Sequence, residues 1–239
     1  MVKRFRMIAG PNGSGKSTLV KRLAEDYSVN FYSFVNADDI FALVAKTGAY
    51  SPKFPVSKEE LVAYAEGTTY AEDIKAAFRG SQVRVEGDCV KFDLDAVNSY
   101  TMALFANFLQ DRFIDRGESF SQETVFSHPS KIAALRRAWD CGYRTYLYFI
   151  ATSSPSVNVG RVANRHAQGG HDVPADKIIS RYGRSLGQLK LALPFLSRAY
   201  VFDNTGSEMD YLGQYEAGSG WAFSRPADEL PKWFVSAIE

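Results

Sequence analysis

The chain has 239 residues, with 28 Lys and Arg against 27 Asp and Glu, a formal net charge of +1, 46% hydrophobic and 23% charged residues. This composition excludes a disordered polymer, gives no long-range attraction to nucleic acid or an anionic membrane, and leaves no apolar run near the roughly 18 residues of a membrane span. Cys89 and Cys141 fit no zinc or redox spacing, and Phe5–Ala9 is too short for a signal-peptide core, so free thiols and a cytoplasmic location are expected.

The first predicted strand is Phe5–Ala9. It runs into Gly10-Pro11-Asn12-Gly13-Ser14-Gly15-Lys16-Ser17-Thr18, which fits G-x-x-x-x-G-K-[ST] at every fixed position. Leu19, Val20, Leu23 and Ala24 follow at helical spacing, so the motif has its strand–loop–helix context. Such a loop wraps backbone N–H groups around phosphate, and the helix adds its partly positive N-terminus. Residues Pro11 to Thr18 are therefore the expected ATP-binding set, with Lys16 on the β/γ oxygens and the Ser17 hydroxyl on Mg²⁺.

Phe31–Val35 reads as a second strand and ends in Asn36-Ala37-Asp38-Asp39. Two roles stand for Asp38: general base for an acceptor hydroxyl, or cap of a helix Asp39–Lys46. The next stretch, about residues 42–117, reads as a mainly helical insertion. It holds a capping box, Ser57-x-x-Glu60, for a helix through Tyr70. A hairpin around Gly87 follows, and then a helix capped by Asp93 that bears Phe105, Phe108, Leu109 and Phe113.

Thr124–Phe126 is the third predicted strand, Thr145–Ile150 the fourth and Tyr200–Phe202 the fifth, each apolar as buried parallel strands should be. Ser130 is the expected cap of a helix reaching Trp139, with Gly142 at its left-handed end. Ser154-Pro155 opens a helix that Gly169-Gly170 stops, and Pro174 opens the next. A hairpin around Gly218-Ser219-Gly220 and a helix from Pro231 complete an extension at about 206–239. Alternating strands and helices predict an α/β fold, a P-loop NTPase three-layer arrangement with a mainly parallel five-stranded sheet, in one domain spanning 1–239.

Two further groups carry chemistry. Glu123, in Ser121-Gln122-Glu123-Thr124, binds an acceptor hydroxyl or a metal-bound water on one reading and braces the glycine loop on the other. Arg161 and Arg165 lie four apart on one helix face, so both can aim at the same phosphates, as a lid must. His166, His171, Arg181 and Arg184 follow them.

With these blocks in order, the chain resembles the zeta toxin family of P-loop kinases. The match rests on AGPNGSGKSTL (Ala9–Leu19), VNAD (Val35–Asp38), SQETVFSHP (Ser121–Pro129), GRVANR (Gly160–Arg165), GGHDVP (Gly169–Pro174), Arg181-Tyr182 and FDN from Phe202. The resemblance implies an ATP-dependent small-molecule kinase whose family acceptor is a sugar hydroxyl of UDP-N-acetylglucosamine, with an antitoxin as partner. It implies Lys16 on phosphate, Asp38 as base, Glu123 and Thr124 in the acceptor pocket, and Arg165 or Arg161 as the first lid arginine. The second lid arginine falls at His171, which leaves that charge to Arg161 or Arg181.

Two other classes compete with this reading. A nucleic-acid end kinase needs a basic stripe with interleaved aromatics, which the sequence does not show. A nucleotide-dependent switch of the GTPase kind needs N-K-x-D, and no Asn-Lys pair occurs in the chain.

Overall fold

A computed structural model of the chain describes residues 2–169 and 173–239. It forms two compact units, one of Met1–Phe34 with Gly117–Glu239 and one of Val35–Arg116. In chain order the elements are β1 (Arg4–Ala9), α1 (Lys16–Tyr27), β2 (Ser33–Asn36), α2 (Ala37–Thr47), β3 (Ala49–Tyr50), α3 (Lys58–Glu66), α4 (Glu72–Ala76), β4 (Val83–Glu86), β5 (Cys89–Phe92) and α5 (Ser99–Arg116). There follow β6 (Phe120–Thr124), α6 (Ser130–Asp140), β7 (Arg144–Ala151), α7 (Pro155–Ala167), α8 (Ala175–Ala192), β8 (Arg198–Asp203), β9 (Asp210–Glu216), β10 (Gly220–Phe223) and α9 (Lys232–Ile238).

The main sheet has seven strands in the order β10-β9-β8-β7-β1-β6-β2. β1 pairs in parallel with both β6 and β7, and β7 in parallel with β8. The expected C-terminal hairpin, β9–β10, joins this sheet antiparallel to β8, which raises the strand count above the five predicted. Period-two alternation sorts the faces of β1. Ile8 packs with Leu19 and Leu23 of α1 and with Tyr148 and Ile150 of β7. On the opposite face Phe5 stacks on Phe120 at 4.3 Å, and Phe149 meets Phe126 and Trp233. Helix, sheet and helix thus make three layers, and the loop between β1 and α1 leaves at the carboxyl edge of the sheet.

The third strand lies earlier than predicted, at Phe120–Thr124 rather than Thr124–Phe126. Phe126 cannot extend it, because its backbone is left-handed (φ 60°) and its side chain is fully buried. That conformation disfavours a non-glycine residue. It is held by α8, from which Ser185 donates to the Val125 carbonyl at 2.8 Å and Gln188 to the Phe126 carbonyl at 3.2 Å.

Several caps differ from expectation. Ser130 is the first residue of α6 rather than its cap, and its N–H bonds the His128 Nδ1 at 3.2 Å. Ser154 precedes α7, but its hydroxyl pairs with that of Ser156 at 2.7 Å instead of capping. Proline at the first helical position already removes one orphan N–H there.

The Val35–Arg116 unit holds a three-stranded sheet, β3-β5-β4, and helices α2 to α5. Ser57 and Glu60 make the reciprocal capping box of α3, which stops at Glu66 with Gly67 as its cap, short of Tyr70. Asp93 caps only a single 3₁₀ turn, Leu94–Ala96. Asn98 takes over as cap for the phenylalanine-rich α5, accepting from the N–H groups of Tyr100 (2.9 Å) and Thr101 (3.0 Å). Phe105, Phe108 and Phe113 of α5 then supply that unit's core, with Phe54 and Phe92 packed edge-on against them.

Candidate active site

The glycine loop between β1 and α1 is built for close approach. Gly13 (φ 73°) and Gly15 (φ 98°) are left-handed. A Cβ at Gly13 would lie 2.7 Å from the Asn158 carbonyl oxygen, and one at Gly15 would lie 2.3 Å from the Asn204 amide nitrogen. The left-handed backbone calls for glycine at both positions, and at Gly13 the α7 main chain also leaves no room for a Cβ, whereas at Gly15 the crowding atom is the end of a side chain. The Gly10 N–H bonds the Thr124 carbonyl at 3.3 Å, tying the start of the loop to the end of β6.

A cavity of about 240 Å³ opens over this loop, lined by Gly13, Gly15, Lys16, Ser17, Thr18 and Glu123, with Arg161, Val162 and Arg165 from α7. Lys16 is 9% exposed, and its Nζ donates to the carbonyls of Gly10 and Pro11, each at 3.1 Å. The Ser17 hydroxyl faces Glu123 Oε2 at 3.4 Å. A hydroxyl beside a carboxylate is the hard-oxygen donor set that suits Mg²⁺. No group of three or more His, Cys, Asp or Glu side chains suited to a metal occurs among the described residues. A ligand with several anionic oxygens fits this lining, because loop amides, an ammonium and guanidinium groups supply the donors.

Both arginines of α7 border the cavity. Arg161 turns its guanidinium to the carbonyls of Asn204 (2.6 Å), Thr205 (3.4 Å) and Gly206 (3.3 Å), fastening the chain after β8. Pro11, Asn12 and Ser14 are buried within the loop itself. Thr124 has a bracing position: its carbonyl takes the Gly10 N–H, and its hydroxyl accepts from the Phe126 N–H at 3.2 Å. Arg181 is half-buried on α8 and is not among the residues lining the cavity. His171, singled out in the sequence, lies outside the described residues.

Asp38 belongs to the Val35–Arg116 unit. It is exposed in the first turn of α2, and its N–H is capped by the Asn36 side chain at 3.0 Å. Asn36, not Asp38, is thus the helix cap, and the Asp38 carboxylate is spared that duty. Partial desolvation, then the neighbouring Asp38 charge, push the Asp39 carboxyl above its ordinary value. This unit also has a groove of about 570 Å³, bordered by Val56, Ser57, Lys58, Glu59 and Arg84 to Glu86.

Four polar residues stand around the loop; Tyr182, Asp203 and Asn204 fall in blocks noted in the sequence, and Asn158 falls in none. Fully buried Asn158 donates to the Asn12 carbonyl at 2.5 Å and accepts from the Thr152 hydroxyl. Asn204 donates to the Ser14 carbonyl at 2.8 Å. The Tyr182 hydroxyl donates to the Thr152 carbonyl at 2.5 Å, and burial pushes its pKa up to about 12, with Asp203 adding to the shift. Buried Asp203 in turn accepts from the Thr205 N–H at 2.8 Å and from Trp233 Nε1 at 2.5 Å.

The family model described as "AAA domain" matches residues 6–181. The chain belongs to that family. Among solved structures, the AvrRxo1-ORF1:-ORF2 complex with ATP is similar at TM-score 0.58 and 14% identity, covering 93% of this chain and 61% of that one. The native AvrRxo1-ORF1:-ORF2 complex follows at TM-score 0.54 and 11% identity, over 100% of this chain and 64% of that one. A structure of the PezAT chromosomal toxin–antitoxin system of Streptococcus pneumoniae gives TM-score 0.48 and 11% identity, over 85% and 68%. This AAA-domain chain spans about six tenths of the length of the AvrRxo1 chain that it matches. No curated protein matches it by sequence. At these identities the likeness establishes the fold, which is that of the P-loop NTPases with a mostly parallel central sheet. No helix among the described residues is long and apolar enough to cross a membrane.

Proposed function

We propose that this protein is a phosphotransferase of the zeta toxin type, moving the γ-phosphate of ATP to a hydroxyl group of a small molecule. The observation that carries the reading is the cavity in which Lys16, Ser17, Glu123 and the α7 arginines meet over the glycine loop. The crystallised AvrRxo1 complex, of the same fold, holds ATP.

In this reading the loop amides bind the β-phosphate, and Lys16 leaves the Gly10 and Pro11 carbonyls to take the β/γ oxygens. Ser17 and Glu123 would hold Mg²⁺, directly or through water, to neutralise charge on the phosphates. Arg165 stabilises charge spreading over the transferred group, while Arg161 holds the nucleotide-side chain after β8. Asp38, which follows β2, accepts the proton of the attacking hydroxyl. Glu123 and Thr124 border the acceptor, and His171 and Arg181 are the further groups assigned to it. UDP-N-acetylglucosamine is the first acceptor to test, and an antitoxin-like protein is the partner to look for.

The deciding experiment incubates the purified protein with ATP and Mg²⁺ and a panel of soluble hydroxyl compounds, with products identified by mass spectrometry. A phosphorylated acceptor formed together with ADP supports the transferase. ADP formed at one rate whatever the acceptor would move the protein to a hydrolysing switch, and labelling of oligonucleotide ends to a nucleic-acid kinase.

A further inference from the structure

The peptides of the phosphate loop are oriented from outside, by two asparagine side chains carried on separate elements. Asn158 on α7 draws the Asn12 carbonyl towards it at 2.5 Å, and Asn204, just past β8, draws the Ser14 carbonyl at 2.8 Å. A planar trans peptide points its C=O and its N–H in opposite directions, and no cis bond occurs among the described residues. Holding the Asn12 and Ser14 carbonyls therefore turns the N–H groups of Gly13 and Gly15 the other way. Both glycines line the cavity that Lys16 and Arg165 also border.

The Asn158 amide is itself fixed in direction. Its Nδ2 must face a carbonyl, so its Oδ1 faces the Thr152 hydroxyl, which donates to it. Tyr182 bonds the carbonyl of the same threonine at 2.5 Å, which anchors the relay to α8. The absence of a Cβ at Gly13 is what lets the α7 backbone come this near.

We propose that Asn158 and Asn204 are positioning residues that preset the Gly13 and Gly15 N–H groups for a polyphosphate anion. They set affinity for the phosphate portion of a nucleotide and not for its base or sugar. The inference rests on the phosphate-binding part of the function proposed above, and on nothing in the acceptor chemistry. A loop whose amides already face the ligand avoids the ordering cost that a loose loop incurs on binding.

The test is calorimetric titration of the full chain with inorganic tripolyphosphate, ATP and adenosine, for wild type, Asn204→Leu, Asn158→Ser and the double variant. The Kd for tripolyphosphate and for ATP should rise about tenfold in each single variant, as one oriented charge-assisted bond is lost, with adenosine affinity unchanged. The double variant should lose about a hundredfold, since the two side chains act on different peptides. If Asn158→Ser does not fold, Asn204→Leu, at a half-buried loop position, carries the test alone. Unchanged tripolyphosphate affinity in Asn204→Leu, or equal losses for adenosine and ATP, would overturn the proposal. Variants weakened for tripolyphosphate beside a wild type that transfers nothing to any acceptor would uphold this inference and remove the transferase.

Discussion

Substituting Gly13 by alanine tests whether α7 is docked on the loop as closely as the backbone positions require. The matched control is Gly142→Ala, because Gly142 has nearly the same backbone angle (φ 76° against 73°) and nothing within 4 Å of its added Cβ. Each substitution places a Cβ in the left-handed region at a cost of about 1–2 kcal/mol. At Gly13 the Cβ also lands 2.7 Å from the Asn158 carbonyl oxygen and 3.1 Å from Val162 Cγ2, and the first of these is main chain that no rotamer change can relieve. Overpacking of this kind adds about 1–3 kcal/mol, so Gly13→Ala should cost about 2–5 kcal/mol in all. Over most of the usual stability range of about 5–15 kcal/mol such a variant stays folded and measurable. The assay is urea unfolding followed by far-ultraviolet circular dichroism, comparing midpoints at constant slope. Because α7 carries Arg165, a displacement of about 1 Å should also lower turnover about a hundredfold. If Gly13→Ala proves no less stable than Gly142→Ala, the close packing of α7 on the loop is wrong.

The two α7 arginines should separate by readout. Arg165→Ala should lower kcat about 10²- to 10³-fold, whereas Arg161→Ala should cost about 1 kcal/mol of stability by releasing the Asn204–Gly206 carbonyls. Both are read from steady-state kinetics beside thermal melts. Tyr182 titrates near 12 when folded against an ordinary value of 10.0, so the folded state holds its proton longer. Its contribution is complete below pH 10 and is lost as pH rises towards 12; stability of Tyr182→Phe should therefore fall less steeply across that window. Trp233→Phe leaves buried Asp203 without its indole donor and should cost about 1–3 kcal/mol, measured by urea unfolding.

The parts legible in the sequence are those dictated by local rules. The glycine spacing, the apolar β1 and β7, the Ser57–Glu60 capping box and the prolines opening α7, α8 and α9 are each set by a few neighbouring residues. What escaped depends on partners far along the chain. Phe126 looks like strand and becomes left-handed because Ser185 and Gln188 hold the carbonyls on either side of its peptide. The β9–β10 hairpin was visible as a hairpin, but its addition to the main sheet depends on the exposed edge of β8. Asn158 falls in no motif, and Asn204, though it ends the FDN block, gives no sign there of its partner; they matter because α7 and β8 bring them beside the loop from 146 and 190 residues away in sequence. One signal was within reach: an asparagine one turn before the Arg161–Arg165 pair, on a helix expected to cover a glycine loop whose carbonyls need donors.

Transfer of phosphate to a hydroxyl acceptor by the loop, its arginine neighbours and Asp38, as proposed above, is checked most directly by coupled ADP release from wild type, Asp38→Asn and Lys16→Ala, each with and without the acceptor found by product profiling. Wild type should show acceptor-dependent release that both variants lose, with ATP binding kept by Asp38→Asn and weakened by Lys16→Ala. Full acceptor-dependent release by Asp38→Asn would contradict that proposal.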